Sequence, residues 1–267
     1  MSNAVEDYTL VSGRKIYYRL LNPQLIDGEK PLLVFLHEGL GCSALWRDFP
    51  ELLSRSLEMP ALLYDRLRYG KSDAAEEPFH NRYMHVEAFD YLPALLDNLD
   101  LNQPVILVGH SDGGTIALLF AARFPQRTLA VISEADHVVN EEVTRQGIAA
   151  VVKEFENGPL KKRLEKYHHE KTEALVSGWS GFLLSEEGCK WNIVDELRDI
   201  HAPVLAIQGR NDAFGSAEQI HVKLRNISGD IYVSYLNNCG HVPHHEQKDI
   251  VLQTMKQFIE NRTRSAG

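Results

Sequence analysis

Residues 109–113 (GHSDG) combine a hydroxyl nucleophile with two flanking glycines. They follow an apolar run at 105–108 and precede a segment with helical character at 115–122. In this strand–turn–helix context, G-x-S-x-G predicts a sharp turn that holds its serine in a strained backbone conformation. Glycine at 109 and 113 relieves the crowding around such a turn. We therefore predict that Ser111 is a nucleophile above a helix N-terminus. A plain Gly-rich turn is the alternative.

A nucleophilic serine requires a base and a group that orients the base. Asp212 lies just after a predicted strand at 203–209, and His241 lies after another predicted strand at 230–236. Since parallel strands end at the same edge of a sheet, we expect Ser111, Asp212 and His241 to meet there as catalytic residues. Taken singly, Asp212 is equally typical of a turn or helix cap, and His241 of a surface histidine.

The strands that must position these residues are recognisable as apolar runs. Four of them begin at a proline and lack the alternation of half-buried strands, which indicates burial on both faces. They cover residues 31–37, 60–65, 104–110 and 203–209. Further strands are predicted at 129–136 and 230–236, and residues 7–22 read as a hairpin.

Segments with helical periodicity alternate with these strands. The pattern predicts an α/β fold with a doubly wound, mostly parallel, eight-stranded sheet. Two of the helical segments contain a proline, and we expect a break at Pro50 and a kink or restart at Pro93.

Residues 137–200 interrupt this alternation, because they contain no convincing strand and have apolar residues at helical spacing. Their place between two sheet strands predicts a helical cap over the carboxyl edge of the sheet, where such sheets bind ligands. Ordinary crossover helices are the alternative. Trp179, Phe182 and Trp191 are candidate substrate-binding residues in an apolar roof, although simple packing is equally typical of them. The predicted units are core residues 1–136, the cap at 137–200, and core residues 201–267.

The composition narrows the classes of partner. A formal net charge of −9 argues against nucleic acids and anionic membranes. Residues 1–10 lack the pattern of a secretory signal, and the longest apolar run is too short to span a bilayer. Three cysteines, Cys42, Cys189 and Cys239, form no spaced framework, and an odd number suits a reducing compartment. We expect a cytoplasmic monomer or homodimer that acts on a small-molecule substrate.

We expect neither a metal nor a cofactor. His241, His244 and His245, like the pair His168 and His169, lack a recognised metal-ligand spacing with carboxylates or cysteines. Residues 65–73 contain glycine and lysine without the phosphate-loop pattern, and no dinucleotide fingerprint is present.

Five stretches together resemble the α/β-hydrolase superfamily, in its subgroup with a helical cap. They are LHEGLG at 36–41, DRLRYGKSD at 65–73, GHSDGG at 109–114, GRND at 209–212 and GHVPHHE at 240–246. The resemblance implies a serine hydrolase that cleaves a small ester, thioester, lactone or amide through an acyl-enzyme. Alternatives are a carbon–carbon bond hydrolase or lyase with the same three residues, and a non-catalytic binding protein.

By the same resemblance, the backbone N–H groups of Gly39 and Asp112 form the oxyanion hole, and His37 braces the loop. This chain departs from the family at Glu38, where glycine is usual. The carboxylate of Glu38 either repels anionic substrates or faces solvent. Glu134 follows a strand at a place where some members carry the catalytic acid, and it is the alternative to Asp212.

The SDGG sequence at 111–114 and the length of the predicted cap also resemble the valacyclovir-hydrolase type. In that type, the aspartate beside the nucleophile contacts the α-amino group of the substrate. The resemblance implies that the side chain of Asp112 binds substrate, with a carboxylate left free at a helix N-terminus. Capping of that helix is the alternative.

Overall fold

The computed structural model describes residues 4–26 and 30–263. The outermost residues of the two predicted core units therefore lie outside the described ranges. The described residues form a sheet of eight strands in the order β1-β2-β4-β3-β5-β6-β7-β8. The strands are β1 (Ala4–Val11), β2 (Arg14–Leu21), β3 (Leu32–Leu36), β4 (Ala61–Tyr64), β5 (Val105–His110), β6 (Thr128–Glu134), β7 (Val204–Gly209) and β8 (Ile231–Leu236).

The sheet is mostly parallel, as predicted. Strand β2 pairs antiparallel with β1 and with β4, and the pairs from β4 through β3, β5, β6 and β7 to β8 are parallel. Strands β3 and β5 are buried along their whole lengths, which explains their unbroken apolar sequences. The predicted α/β fold class is confirmed.

Helices cover both faces of the sheet. The α-helices are α1 (Phe49–Leu57), α2 (Tyr83–Val86), α3 (Leu92–Asn98), α4 (Asp112–Arg123), α5 (Glu142–Asn157), α6 (Leu160–His168), α7 (Thr172–Leu184), α8 (Ala217–Asn226), α9 (Pro243–Glu246) and α10 (Lys248–Thr263). Pro50 lies in the first turn of α1, after a separate 3₁₀ turn at Ser43–Trp46. Pro93 is the second residue of α3, which continues directly from a π-helical turn at Glu87–Tyr91. The expected break therefore lies just before Pro50, and the helix changes type just before Pro93.

Residues 137–200, called here the inserted segment, connect β6 to β7. They contain α5, α6 and α7, with an isolated bridge between Val139 and Asn192. Buried His168 joins this segment to the sheet-edge loops, because its Nδ1 accepts a hydrogen bond from the N–H of Gly70 at 2.9 Å. Its Nε2 donates to the carbonyl oxygen of Leu40 at 2.9 Å. The division into core and cap stays a prediction.

Candidate active site

Ser111 occupies the turn between β5 and α4 with φ 52° and ψ −120°, a conformation that L-residues rarely adopt. Its N–H donates to the carbonyl oxygen of Glu134 at 2.8 Å. A Cβ on Gly113 would lie 1.9 Å from the carbonyl oxygen of Leu36, and one on Gly109 would lie 2.2 Å from that of Gly113. The strained turn and its need for two glycines therefore match the prediction.

Three side chains from different strand ends meet in one hydrogen-bonded row. Nε2 of His241 lies 3.1 Å from Oγ of Ser111, and Nδ1 of His241 lies 2.9 Å from both carboxylate oxygens of Asp212. Since Nδ1–H donates to the carboxylate, Nε2 is free to accept the hydroxyl proton. The structure thus brings together the three residues predicted to carry the chemistry.

The carboxylate of Asp212 is fully buried and held by two further donors. Nε2 of Gln208 donates to it at 2.7 Å, and the N–H of Phe214 donates at 2.8 Å. The ring of Phe214 also packs against His241, with centroids 4.5 Å apart. Burial raises the pKa of Asp212, but the hydrogen bond and charge of His241 outweigh it, and the pKa is lowered. Asp212 is therefore an ionised orienting group.

The pKa of His241 is lowered from its usual value of 6.5. Burial is the main cause, because it disfavours the charged imidazolium. Asp212 acts in the opposite direction, while the nearby His110 and His137 add to the lowering. His241 is consequently neutral at pH 7 and able to accept a proton.

Glu134, the alternative acid, is engaged elsewhere. Its Oε2 accepts a hydrogen bond from Nδ1 of His244 at 2.7 Å, and both side chains are buried. The ring of His244 stacks on Trp46 with centroids 4.4 Å apart. This second carboxylate–imidazole pair was not predicted, because nothing local in the sequence links residues that are 110 positions apart.

Glu38 pairs with His110, the residue before Ser111, at 3.7 Å from Oε2 to Nδ1. Burial disfavours both charges, but each charge stabilises the other, so the pKa of Glu38 is lowered and that of His110 is raised. Nε2 of His110 donates to the carbonyl oxygen of His241 at 2.7 Å. Glu38 therefore pairs with a buried histidine instead of standing free in solvent, and it also lines the cavity.

The loop that carries Gly39 is held in place by hydrogen bonds of His37 and Arg66. His37 is buried, and its Nε2 accepts a hydrogen bond from the N–H of Arg66 at 3.1 Å. The guanidinium of Arg66 donates to the carbonyl oxygen of Glu38 at 2.8 Å. Within the described residues, the N–H groups of Gly39 and Asp112 donate to no protein acceptor. These contacts fit the bracing role that the resemblance implies for His37.

The expectation of a free Asp112 carboxylate is wrong. Its Oδ2 accepts a hydrogen bond from the hydroxyl of Tyr83 at 2.8 Å and lies 3.9 Å from the guanidinium of buried Arg66. A carboxylate that is already compensated by a buried cation attracts a substrate ammonium weakly. Nor does Asp112 cap the helix, since it is the first residue of α4 and its N-cap, Ser111, makes no side-chain capping bond.

A cavity of about 680 Å³ opens above Ser111 and His241. One wall comes from the sheet-edge loops and the other from the inserted segment. The indoles of Trp179 and Trp191 line the cavity, as predicted, but Phe182 does not. Phe182 and Leu183 differ by about 100° around α7, and it is Leu183 that faces the cavity. Phe182 instead packs edge-on against Tyr83, with centroids 5.8 Å apart.

Among residues 4–26 and 30–263, no group of three or more His, Cys, Asp or Glu is arranged to hold a metal ion. In the same residues, no helix combines the length and the hydrophobicity that a membrane span requires. The three cysteines are free, with Cys42 and Cys239 buried and Cys189 exposed.

Two curated proteins resemble this chain over most of its length. The proline iminopeptidase of Saccharolobus solfataricus is 25% identical in an alignment 300 positions long, gaps included, which covers 97% of this chain and 93% of the relative. A Bacillus subtilis (strain 168) protein, provisionally assigned as 2-succinyl-6-hydroxy-2,4-cyclohexadiene-1-carboxylate synthase, is 24% identical over 257 residues, which cover 85% of this chain and 89% of the relative.

Solved structures share the fold at low sequence identity. The crystal structure of 2-hydroxy-6-oxo-6-phenylhexa-2,4-dienoate hydrolase from Rhodococcus sp. strain RHA1 superposes with a TM-score of 0.81 and 15% identity. The superposition covers 99% of this chain and 100% of that one. The family model described as alpha/beta hydrolase fold matches residues 31–164, half of the chain. The chain therefore belongs to the α/β-hydrolase fold family.

Proposed function

We propose that the protein is a serine hydrolase that cleaves a small carboxylic ester, thioester, lactone or amide through an acyl-enzyme. The observation that carries this proposal is the hydrogen-bonded row of Ser111, His241 and Asp212, which opens onto a cavity of about 680 Å³. A cavity of that size suits a small molecule. The carboxylesterase-like preference for esters is part of the proposal.

The proposed reaction has two halves. Oγ of Ser111 attacks the substrate carbonyl while Nε2 of His241 takes the hydroxyl proton, and His241 then returns that proton to the leaving group. Water attacks the resulting acyl-enzyme, again with His241 as base, and releases the carboxylic acid. Asp212 holds the imidazole in the reactive tautomer and stabilises its cation.

For the oxyanion, we propose the backbone N–H groups of Gly39 and Asp112. Both are without a protein acceptor in the described residues, and Asp112 opens a helix whose N-terminal dipole favours negative charge. One such donor contributes about 3–4 kcal/mol to transition-state stabilisation in a comparable enzyme. Because its carboxylate is engaged by Tyr83 and Arg66, we propose no ammonium-binding role for Asp112.

We further propose that the inserted segment is a helical cap that determines which substrates enter. The support is that Trp179, Trp191 and Leu183 form part of the cavity wall. We also propose a cytoplasmic location, which the free thiols of Cys42, Cys189 and Cys239 support.

A carbon–carbon bond hydrolase or lyase is the second candidate. The observation in its favour is the similarity, over 85% of this chain, to the Bacillus subtilis protein whose provisional name is that of a carboxylate synthase. The same three residues serve either chemistry, so the fold does not discriminate between them.

The experiment is a substrate screen with the purified protein. Short acyl p-nitrophenyl esters, lactones, aminoacyl esters and vinylogous diketones are compared for the wild type and for Ser111→Ala. We expect the highest kcat/KM with the esters or lactones and loss of that turnover in Ser111→Ala. Preferred turnover of the diketones would replace the ester proposal with the second candidate, and Ser111-independent turnover would overturn both.

A further inference from the structure

A buried histidine beside the nucleophile contacts the loop that carries the proposed base. His110 is the last residue of β5, is 2% exposed and has no part in the proposed mechanism. Its Nε2–H donates to the carbonyl oxygen of His241 at 2.7 Å, and the centroids of the two rings are 5.2 Å apart. The strand that ends at Ser111 therefore also holds the backbone of the proposed base.

The carboxylate of Glu38 approaches the other ring nitrogen of His110. Oε2 of Glu38 lies 3.7 Å from Nδ1, which is too long for a hydrogen bond but within the range of an ion pair. A Cβ added to Gly41 would lie 2.2 Å from the same Oε2. The side chain of Glu38 thus folds back over its own loop, and glycine at position 41 leaves the space for it.

The surroundings of His110 favour its charged form. Burial disfavours the imidazolium, but the carboxylate of Glu38 outweighs burial, with smaller contributions from Glu134 and the carbonyl of His241. The pKa of His110 is therefore raised above its usual value of 6.5. Within the described ranges, the charged groups and rings that face His110 are Glu38, Trp46, Glu134, His241 and His244.

A cation at His110 opposes a second positive charge on His241. Burial is the main cause of the lowered pKa of His241, Asp212 opposes it, and the charges of His110 and His137 lower it further. Glu38 approaches Nδ1 of His110, whereas the His241 carbonyl lies at Nε2. The imidazole of His110 therefore separates the carboxylate from the proposed base, and its cation is the nearer of the two charges.

We propose that Glu38 and His110 are positioning residues for His241: their ion pair keeps a cation beside the base, where it holds the backbone carbonyl and opposes protonation of the ring. The inference rests on the proposed hydrolase function, because it assigns both residues to the base of that reaction. Its consequence is that His241 stays neutral, and able to accept a proton, at a lower pH than it would without the pair.

The test separates the charge of His110 from the mechanical hold on the loop. Glu38→Gln removes the carboxylate, and His110→Gln removes the cation but keeps an amide donor. The matched control is Glu246→Gln, because the carboxylate of Glu246 accepts the N–H groups on both sides of His241 at 2.6 and 3.0 Å. Each protein is measured by the pH profile of kcat/KM and by NMR titration of ¹³C-labelled histidines, assigned by single substitutions.

In Glu38→Gln and His110→Gln, the acid limb and the titration of His241 should move to higher pH, since the ring loses a repulsive neighbour. After each profile is divided by its plateau, kcat/KM at a fixed pH on the limb should be about 3- to 10-fold below the wild-type value. Loss of the Glu38 charge alone would move the limb to lower pH, so the direction of the shift identifies the acting group. Glu246→Gln should cause no shift to higher pH.

The wild type provides a test that requires no variant to fold. Its His110 should titrate above pH 6.5 and its His241 below, so that His110 is charged while His241 titrates. A neutral His110 in that range would overturn the inference, as would a His241 titration that stays in place or moves to lower pH in both Glu38→Gln and His110→Gln.

The two readouts distinguish failure of this inference from failure of the hydrolase proposal. NMR titration requires no turnover, so the expected shift of His241 supports the pairing even if no ester is cleaved. Conversely, ester turnover that requires Ser111, combined with an unmoved His241 titration in both variants, rejects the inference and leaves the hydrolase proposal intact.

Discussion

Besides the pair of Glu38 with His110, two buried carboxylate–imidazole pairs lie close to Ser111, and these two differ in what the imidazole faces. His241, held by Asp212, reaches Oγ of Ser111, whereas His244, held by Glu134, stacks on Trp46. Only the first pair opens onto the cavity. Geometry therefore distinguishes Asp212, which orients the imidazole at Ser111, from Glu134, which holds a histidine that only packs. Substitution of each carboxylate in turn tests this distinction.

Asp212→Asn should lower kcat by about 10³–10⁴-fold, because the amide stabilises the wrong imidazole tautomer and no longer stabilises the cation. Glu134→Gln is the matched control. It should lower kcat less than tenfold and lower Tm instead, since it weakens a buried contact away from Oγ. Steady-state kinetics and thermal melts of both variants check this, and the reverse pattern would transfer the orienting role to Glu134.

The pH profile of kcat/KM should have an acid limb below pH 6.5. Burial lowers the pKa of His241, the repulsion from His110 and His137 adds to the lowering, and Asp212 opposes it only in part. Because the base must be neutral, activity falls as the pH drops through this lowered pKa and is constant just above it. A limb centred above pH 7 would show that the imidazolium is stabilised in the free enzyme, contrary to this environment.

At the scale of elements, the inserted segment is attached to the sheet-edge loops through His168. Both of its ring nitrogens are used, by the N–H of Gly70 and the carbonyl oxygen of Leu40. The Leu40 contact joins α6 to the loop that carries Gly39. Together with Lys171, whose Nζ donates to the carbonyl oxygen of Gly70 at 2.7 Å, the imidazole of His168 helps to fix the position of the cavity roof relative to the proposed oxyanion hole.

His168→Ala should lower the free energy of unfolding by about 2–4 kcal/mol, because two backbone groups lose their partner in a buried site. The adjacent His169→Ala is the control, since that side chain is exposed and should change stability by less than about 0.5 kcal/mol. Urea denaturation of both variants measures the difference. Equal small losses would mean that the segment is held mainly by apolar packing.

The elements themselves were largely predictable, because each signal was local. Buried parallel strands appear as unbroken apolar runs. Pro50 begins a helix, since proline is tolerated in a first turn, and Pro93 marks a change from a π-helical turn to α3, since it lacks a donor. The strained turn at Ser111 was predictable from its glycines. The rotation of α7 was not, since Trp179, Phe182 and Leu183 are all apolar and only tertiary packing decides which of them faces the cavity.

Contacts between residues that are far apart in the sequence could not be predicted either, because no local pattern indicates them. The contacts of Glu38 with His110, and of Asp112 with Tyr83 and Arg66, depend on loops that meet only in the folded chain. The predicted meeting of Ser111, Asp212 and His241 succeeded because parallel topology forces strand ends to one edge. No comparable rule predicts which of the side chains at that edge of the sheet contact each other.

For the molecule as a whole, buried neutral histidines make stability depend on pH. Burial lowers the pKa of His37, His168 and His241. In the unfolded chain these groups bind protons near pH 6.5, so their contribution to stability is complete above that pH and is lost as the pH falls. His110, whose pKa is raised, acts in the opposite direction, because its contribution to stability grows as the pH falls through 6.5, and this one group offsets part of the loss from the other three.

The free energy of unfolding should therefore fall by about 1–3 kcal/mol between pH 7 and pH 5.5. Urea titrations at the two pH values measure it. General charge repulsion predicts the opposite sign, because acidification reduces a net charge of −9. A rise in stability over this interval would mean that long-range repulsion outweighs the buried histidines.

The most direct test of the proposed function is covalent labelling of Ser111. A fluorophosphonate probe reacts with a serine that is activated by a neighbouring base, and mass spectrometry of the digested protein locates the adduct. We predict one adduct per chain, on the peptide that carries Ser111, and none on Ser111→Ala under the same conditions. Equal labelling of both proteins, or an adduct on another residue, would contradict the assignment of Ser111 as the nucleophile.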